Sequence, residues 1–328
     1  MLEVDRVGRR RTALVLRSEA LNATRQFFRG RSFIEISAPV WVRTPGLDVH
    51  IKAIEAGGGY LATSPEFALK RLLCGGMERI YSLGPCFRAD ECGIHHSVEF
   101  TMLEWYRASS QLSAIETDTE ELISELVTTL TSGEIRVGST IIDCRRPWPR
   151  LTIRELFASR AGIDIRGNES DDELCQLATA AGHRLGSATR FDDIFYTIWL
   201  ESIEPTIPTN RPVFVCDWPV RLAALAKTKV DDPACVERFE LYMGGVELAN
   251  AFGELTDPVE QRRRFEAERS ERAQRGLAVY PIDEKFLAAL EQGMPPAAGI
   301  ALGFDRLVML LAGASSIGDV QAFANGEI

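Results

Sequence analysis

Arg79 to Arg107 reads RIYSLGPCFRADECGIHHSVEFTMLEWYR, and the rest of the chain is organised around it. A short apolar run ends at Phe87-Arg88, a polar loop from Ala89 to Ser97 contains Gly93, and a second run rich in aromatic and apolar residues begins at Glu99. That pattern is two strands joined by a long connection. Side chains alternate between faces along a strand, so Phe100, Met102, Glu104 and Tyr106 share one face and Glu99, Thr101, Leu103 and Trp105 the other. A carboxylate beside a phenol and a phenyl ring suits a ligand platform. Spacing alone equally allows a solvated face, because charged strand residues are usually exposed.

The 328 residues, 45% of them hydrophobic and 26% charged, describe a soluble globular chain long enough for one large domain or two. A net charge of −10 argues against a nucleic-acid partner, which usually calls for a basic face. Arg9-Arg10-Arg11 is one of the few basic clusters and reads as the solvated first turn of a helix. The seven cysteines are scattered without a C-x-x-C pair, which fits free thiols in a reducing cytoplasm. His95-His96 near Cys92 lack a partner cluster, so zinc is not expected. With no signal-like N-terminus and no apolar run of membrane-spanning length, the expected location is cytoplasmic, with no membrane partner.

Apolar residues at helical spacing predict a helix from Thr12 to Gly30, and Ser32 to Ile36 reads as a strand. Two strands flank Gly57-Gly58-Gly59. Neither G-x-x-x-x-G-K-[ST] nor G-x-G-x-x-G occurs, which disfavours a P-loop or Rossmann turn. In Thr63-Ser64-Pro65-Glu66, Ser64 is a helix cap, Pro65 a first helical residue and Glu66 an anion in the first turn. Gln111 to Thr131 is expected to be a helix with an acidic exposed face. The stretch 132–211 reads as a strand near Arg136 to Cys144 followed by helices, and as a mostly helical insertion into a single domain, since no linker composition flanks it. Gln261 to Arg275 reads as a solvated charged helix and Pro281 to Gln292 as an amphipathic one.

Arg238 to Phe252 holds a second chemical element. Gly244-Gly245 is a two-residue hairpin turn, which sets Met243 against Val246, Tyr242 against Glu247 and Glu240 against Ala249. Glu240 and Glu247 then lie diagonally on one face and would repel unless a cation sits between them. With only oxygen ligands on offer, Mg²⁺ carrying phosphates suits the pair better than zinc, and two solvated glutamates are the alternative. Asn250, Phe252 and Glu254 share a face by period 2. Glu247 joins them only if a β-bulge lies between. The last element, Gly299-Ile300-Ala301-Leu302-Gly303-Phe304-Asp305-Arg306, is a strand entering a helix whose first turn favours anions.

Phe87-Arg88, the loop with Asp90 and His96, and Glu99 to Tyr106 together resemble motif 2 of the class II aminoacyl-tRNA synthetases, in particular the lysyl subgroup and its truncated branch that attaches β-lysine to elongation factor P. The family's usual Asn and Glu are replaced here by Ala89 and Asp90, and its Asn-Pro by Ser97-Val98. The first helix and strand resemble motif 1, and G-x-A-L-G-x-D-R resembles motif 3. The resemblance implies an α+β catalytic fold, an antiparallel sheet flanked by helices, dimeric through the first helix and strand. Only about a dozen residues stand where lysyl-tRNA synthetases carry an anticodon-binding barrel, so residues 1–328 are expected to be one catalytic domain. It further implies ATP and Mg²⁺, with Arg88 on the α-phosphate and the substrate carboxylate, Arg306 on the γ-phosphate and Phe100 stacked on adenine. Asp90 and His96 would line the nucleotide loop, and Glu240 and Glu247 would hold Mg²⁺. Glu66, Glu104, Tyr106, Asn250, Phe252 and Glu254 would surround a diamino acid. Ala301 replaces the glycine of lysyl-tRNA synthetases and matches the alanine of the β-lysine ligases. The implied acceptor is a lysine of elongation factor P, with tRNA unlikely. A truncated tRNA-charging enzyme and a catalytically dead nucleotide-binding regulator are the alternatives, and the intact arginines, glutamates and glycines speak against the last.

Overall fold

The computed structural model describes residues 3–327, and its centre is one eight-stranded sheet. The strands are β1 (Ile34–Glu35), β2 (Arg79–Phe87), β3 (Glu99–Ala108), β4 (Arg150–Thr152), β5 (Val213–Pro219), β6 (Cys235–Met243), β7 (Val246–Gly253) and β8 (Ala297–Gly303). Their spatial order is β1-β2-β3-β8-β7-β6-β5-β4. The six central strands run antiparallel, as expected, but each edge strand pairs parallel with its neighbour, so the sheet is mixed. The parallel edges arise because β1 and β4 are each reached through long connections rather than tight hairpins.

One face is sealed. Leu103 and Trp105 of β3, Ile300 and Leu302 of β8, Ala249 and Ala251 of β7 and Phe239 and Leu241 of β6 lie in a single buried cluster. The helices Glu3–Gly30, Leu112–Leu130 and Phe304–Leu311 supply its other side, through residues such as Phe28, Leu122 and Leu307. Asp305 pins these parts together. It accepts the Thr101 backbone N–H at 2.9 Å and ion-pairs with Arg17 of the first helix.

The helix predicted from Gln111 to Thr131 spans Leu112–Leu130, yet its acidic face is not simply solvated. Asp118 is buried against Arg107 at 2.5 Å, and Glu116 is buried against Arg150. The charged helix Pro258–Gln274 is likewise only partly solvated, because Arg264 and Arg272 turn inward and donate to backbone carbonyls. In the stretch 132–211 the strand expected near Arg136 is a hairpin, Ile135–Val137 with Thr140–Ile142, and β4 joins the main sheet. The helices Asp171–Ala180 and Phe191–Ile198 pack with β5 in a second core that includes Phe195, Trp199 and Trp218.

Gly244 and Gly245 make the β6–β7 turn, at φ 63° and 80°, the left-handed geometry that favours glycine. Met243 pairs with Val246 and Tyr242 with Glu247, but Glu240 pairs with Asn250 rather than Ala249. The register shifts between Leu241 and Tyr242, so Leu248 is the extra residue of a bulge. That bulge brings Glu247 and Asn250 toward one face.

Candidate active site

Cross-strand register partners share a face. Glu104 of β3 pairs with Ala301 of β8, Ala301 with Asn250 of β7, and Asn250 with Glu240 of β6. A second row runs Tyr106, Gly299, Phe252, Arg238. Period 2 along each strand therefore assembles five of the seven predicted substrate residues, Glu104, Ala301, Asn250, Tyr106 and Phe252, into two adjacent rows on the face opposite the sealed core. The first row, with Phe252 and Arg238 of the second, floors an open cavity of 1730 Å³. Gly299 is obligatory in the second row, since a Cβ there would fall 2.2 Å from the Tyr106 ring and 2.7 Å from Glu254.

At one end three carboxylates converge. The helix Glu66–Cys74 begins beside β3, with the Ser64 hydroxyl accepting the Glu66 N–H at 2.9 Å and donating to Glu104 Oε1 at 2.6 Å. Pro65 stands at the cap position, one residue outside the helix. The Tyr106 hydroxyl donates to Glu104 Oε2 at 3.1 Å. Glu104 is fully buried, and desolvation, reinforced by Glu66, raises it to about 8. Lys70, one turn beyond Glu66, sits 2.5 Å from both Glu66 and Glu254. Burial opposes its charge, but the two carboxylates raise its pKa all the same. Neither oxygen of buried Glu254 has a well-formed hydrogen bond.

At the other end lie the arginines. The Arg88 guanidinium covers the Phe100 ring at 5.2 Å, reaches Glu91 only at 3.6 Å, and leaves its Nε–H buried without a partner. An unpartnered buried guanidinium N–H calls for an anion. Arg306, on the first turn of the helix Phe304–Leu311, donates to the backbone carbonyls of Glu247 at 2.7 Å and His95 at 3.1 Å. Its Nη2 lies 2.8 Å from His96 Nε2, which must accept and is therefore unprotonated there. Burial and the Arg306 charge hold that imidazole below its ordinary pKa.

Asp90 does not join this group. It takes φ 65°, points to solvent and ion-pairs with Lys52 at 2.6 Å. Glu91 is the loop carboxylate that lines the cavity, facing Arg88 and His96. The backbone conformation at Asp90, one that aspartate tolerates, turns its side chain outward and Glu91 inward.

Glu240 is buried. Its Oε1 accepts from Arg238 at 2.5 Å and its Oε2 from the Tyr242 hydroxyl at 2.9 Å. Burial and the nearby Glu247 hold its pKa above the ordinary value. Each oxygen keeps a free lone pair, so the Glu240–Glu247 pair fits a hard cation whose remaining ligands are phosphate oxygens and water. Among the described residues no group of three or more His, Cys, Asp or Glu side chains is placed to hold a metal ion.

Sequence reasoning missed Lys70 and Arg238. Arg238 stacks on Trp218 at 4.2 Å and donates to Oδ1 of Asn250, itself a lining residue of the cavity, at 3.2 Å. Its signal was available, since Arg238, Glu240 and Tyr242 alternate on one strand. For Lys70 the signal was a lysine four residues after Glu66 on the apolar side of an amphipathic helix. Glu204, which lines the same cavity and senses Glu247, gave no sequence signal.

A buried acidic pocket and an arginine-lined anion site thus lie on the open face of the mixed sheet. The chain belongs to the tRNA synthetases class II (D, K and N), whose family model matches residues 1–327. It is 36% identical over 324 residues to the elongation factor P–(R)-β-lysine ligase of Hamiltonella defensa, covering 94% of each chain. The corresponding ligase of Proteus mirabilis is 35% identical over 328 residues, again covering 94% of both. The lysine–tRNA ligase of Pelotomaculum thermopropionicum is 38% identical over 316 residues, 94% of this chain but 62% of that protein. The chain thus spans less than two thirds of that tRNA ligase and nearly the full length of the two protein ligases. No helix among the described residues is long and apolar enough to cross a membrane.

Proposed function

We propose that the protein activates (R)-β-lysine, or lysine, with ATP and transfers it to a lysine side chain of elongation factor P. The observation that supports this reading is the continuous row Glu104–Ala301–Asn250–Glu240, whose residues line one cavity together with Glu66, Arg88 and Arg306. The substrate carboxylate attacks the α-phosphorus of ATP, forming an acyl-adenylate and releasing pyrophosphate. A carboxylate is already ionised at neutral pH, so no general base is needed for this step. Arg88 holds the carboxylate and α-phosphate together, Arg306 neutralises the departing pyrophosphate, and both are set before the reaction begins. Phe100 offers its ring to adenine. Glu66, Glu104, Tyr106 and Glu254 receive the distal ammonium, while Asn250 and Phe252 wall the middle of the chain. Glu240 and Glu247 would hold Mg²⁺, which supplies charge neutralisation on the phosphates. In the second step the acceptor amine, once neutral, attacks the acyl carbon and AMP leaves. The same reading includes a cytoplasmic homodimer formed through the first helix and strand, and a single catalytic domain in which the stretch 132–211 walls the site. It is supported by the near full-length match to the two protein ligases.

Ala301 sets the choice between isomers. Its Cβ lies on the floor between Glu104 and Asn250, under the bound amino acid in this reading. Moving an amino group from the α to the β carbon shifts bulk at that level. One methyl is worth about 1–3 kcal/mol, or roughly 10–200-fold. Pyrophosphate exchange is expected to favour (R)-β-lysine over α-lysine by a factor in that range, and Ala301→Gly is expected to narrow the gap by improving α-lysine. Equal use of both isomers by the parent, or an unchanged ratio in the variant, counts against this role.

A further inference from the structure

In the ammonium pocket the carboxylates outnumber the cations. Glu66, Glu104 and Glu254 converge there, and Lys70 is the one cation among the described residues within ion-pairing distance of any of them. Lys70 is shared between Glu66 and Glu254, on either side of it. Glu104 has only the neutral hydroxyls of Ser64 and Tyr106, and none of its surface reaches water. The groups around it are few. The helix Glu66–Cys74 presents Glu66 and Lys70, β3 itself presents Tyr106, and β2 presents Ser82 and the buried thiol of Cys86. Glu254 approaches from the end of β7, and β8 contributes only uncharged Ala301. A buried carboxylate that faces another carboxylate and lacks a cation is stable only in its neutral form.

We propose that the unliganded pocket stores a proton on Glu104 and gives it up when the substrate's distal ammonium docks, while Lys70 is a resident cation paired with Glu66 and Glu254 that leaves Glu104 for the substrate. The inference rests on the pocket being the diamino-acid site. The exchange balances: the Glu104 carboxylic acid and an alkylammonium give a carboxylate–ammonium pair, and one proton passes to water. The rise of Glu104 to about 8 agrees with this geometry. Lysine affinity is therefore expected to climb about tenfold per pH unit up to about pH 8, because each binding event must expel one proton. Above that it levels off until the ammonium itself titrates near ~10.4.

Calorimetric titration of the full chain with (R)-β-lysine and with α-lysine, without ATP, in buffers of different ionisation enthalpy counts the protons released. Because Glu254 is also raised, to about 7, the release due to Glu104 is read as the difference between the parent and Glu104→Gln, expected to be about one proton per bound ligand near pH ~6.5 and almost none near pH ~9. Glu104→Gln, nearly isosteric, should still fold and release about one proton fewer than the parent near pH ~6.5. Binding by the parent without proton release overturns the exchange and leaves the reading of the pocket standing. Parent-like release by Glu104→Gln overturns the assignment to Glu104. If neither isomer binds the parent, both the exchange and the diamino-acid reading fall.

Discussion

Arg306→Ala and Arg88→Ala are each expected to slow lysine-dependent pyrophosphate exchange by about 10²–10³ or more, the range for losing one preorganised charge donor. The structure gives the reason for each. Arg306 is held by two backbone carbonyls, of Glu247 and His95, so its guanidinium is positioned before any nucleotide arrives. Arg88 carries a buried Nε–H with no partner and only a long contact to Glu91, so much of its hydrogen-bonding capacity is reserved for a ligand. Neither residue supports the sealed core, and circular dichroism and melting temperature should stay near those of the parent. Exchange at close to the parent rate in either variant would remove the adenylation mechanism.

Lys70→Met should be the most damaging single change to stability. Lys70 is fully buried between Glu66 and Glu254, and breaking a buried ion pair by removing one partner costs about 3–5 kcal/mol. The loss should depend on pH in a defined sense. The Glu254 pKa already lies above its ordinary value, through burial, although Lys70 pulls it down. Without Lys70 it rises further, so the variant folds at low pH with Glu254 neutral and loses that stability as pH climbs through the raised value. Denaturant unfolding at about pH 5 and pH 8 measures the difference, with the larger deficit expected at the higher pH. Parent-like stability at both values would mean that the cluster holds no charge that Lys70 must balance.

Much of this site was legible in the sequence because strands obey period 2. Glu104 with Tyr106, and Asn250 with Phe252, fall on their common face from alternation alone. The bulge required to bring Glu247 beside Asn250 is present, although its position moves the partner of Glu240 from Ala249 to Asn250. The misreadings have local causes. Asp90 and Glu91 are adjacent carboxylates, and which one faces the ligand depends on a single positive φ that no pattern of residue types encodes. Glu116 and Asp118 looked like a solvated helix face because the arginines that draw them inward, Arg150 and Arg107, sit on strands, and the helix's own periodicity does not show which strand residues pack against it. For Lys70 half of the pairing is local, with Glu66 one turn before it, but its second anion, Glu254, comes from beyond the end of β7 and is placed only by the sheet. Arg238 and Glu240 alternate on one strand, so that pairing was open to the sequence.

The acceptor assay tests the central claim most directly. The protein, ATP and Mg²⁺ are incubated with labelled (R)-β-lysine or α-lysine and either elongation factor P or lysine tRNA, and the acid-stable label on each acceptor is followed alongside aminoacylated tRNA. The account predicts stable label on elongation factor P, more from (R)-β-lysine than from α-lysine, and none when the acceptor lysine is replaced. Efficient charging of tRNA with elongation factor P left unmodified would contradict it.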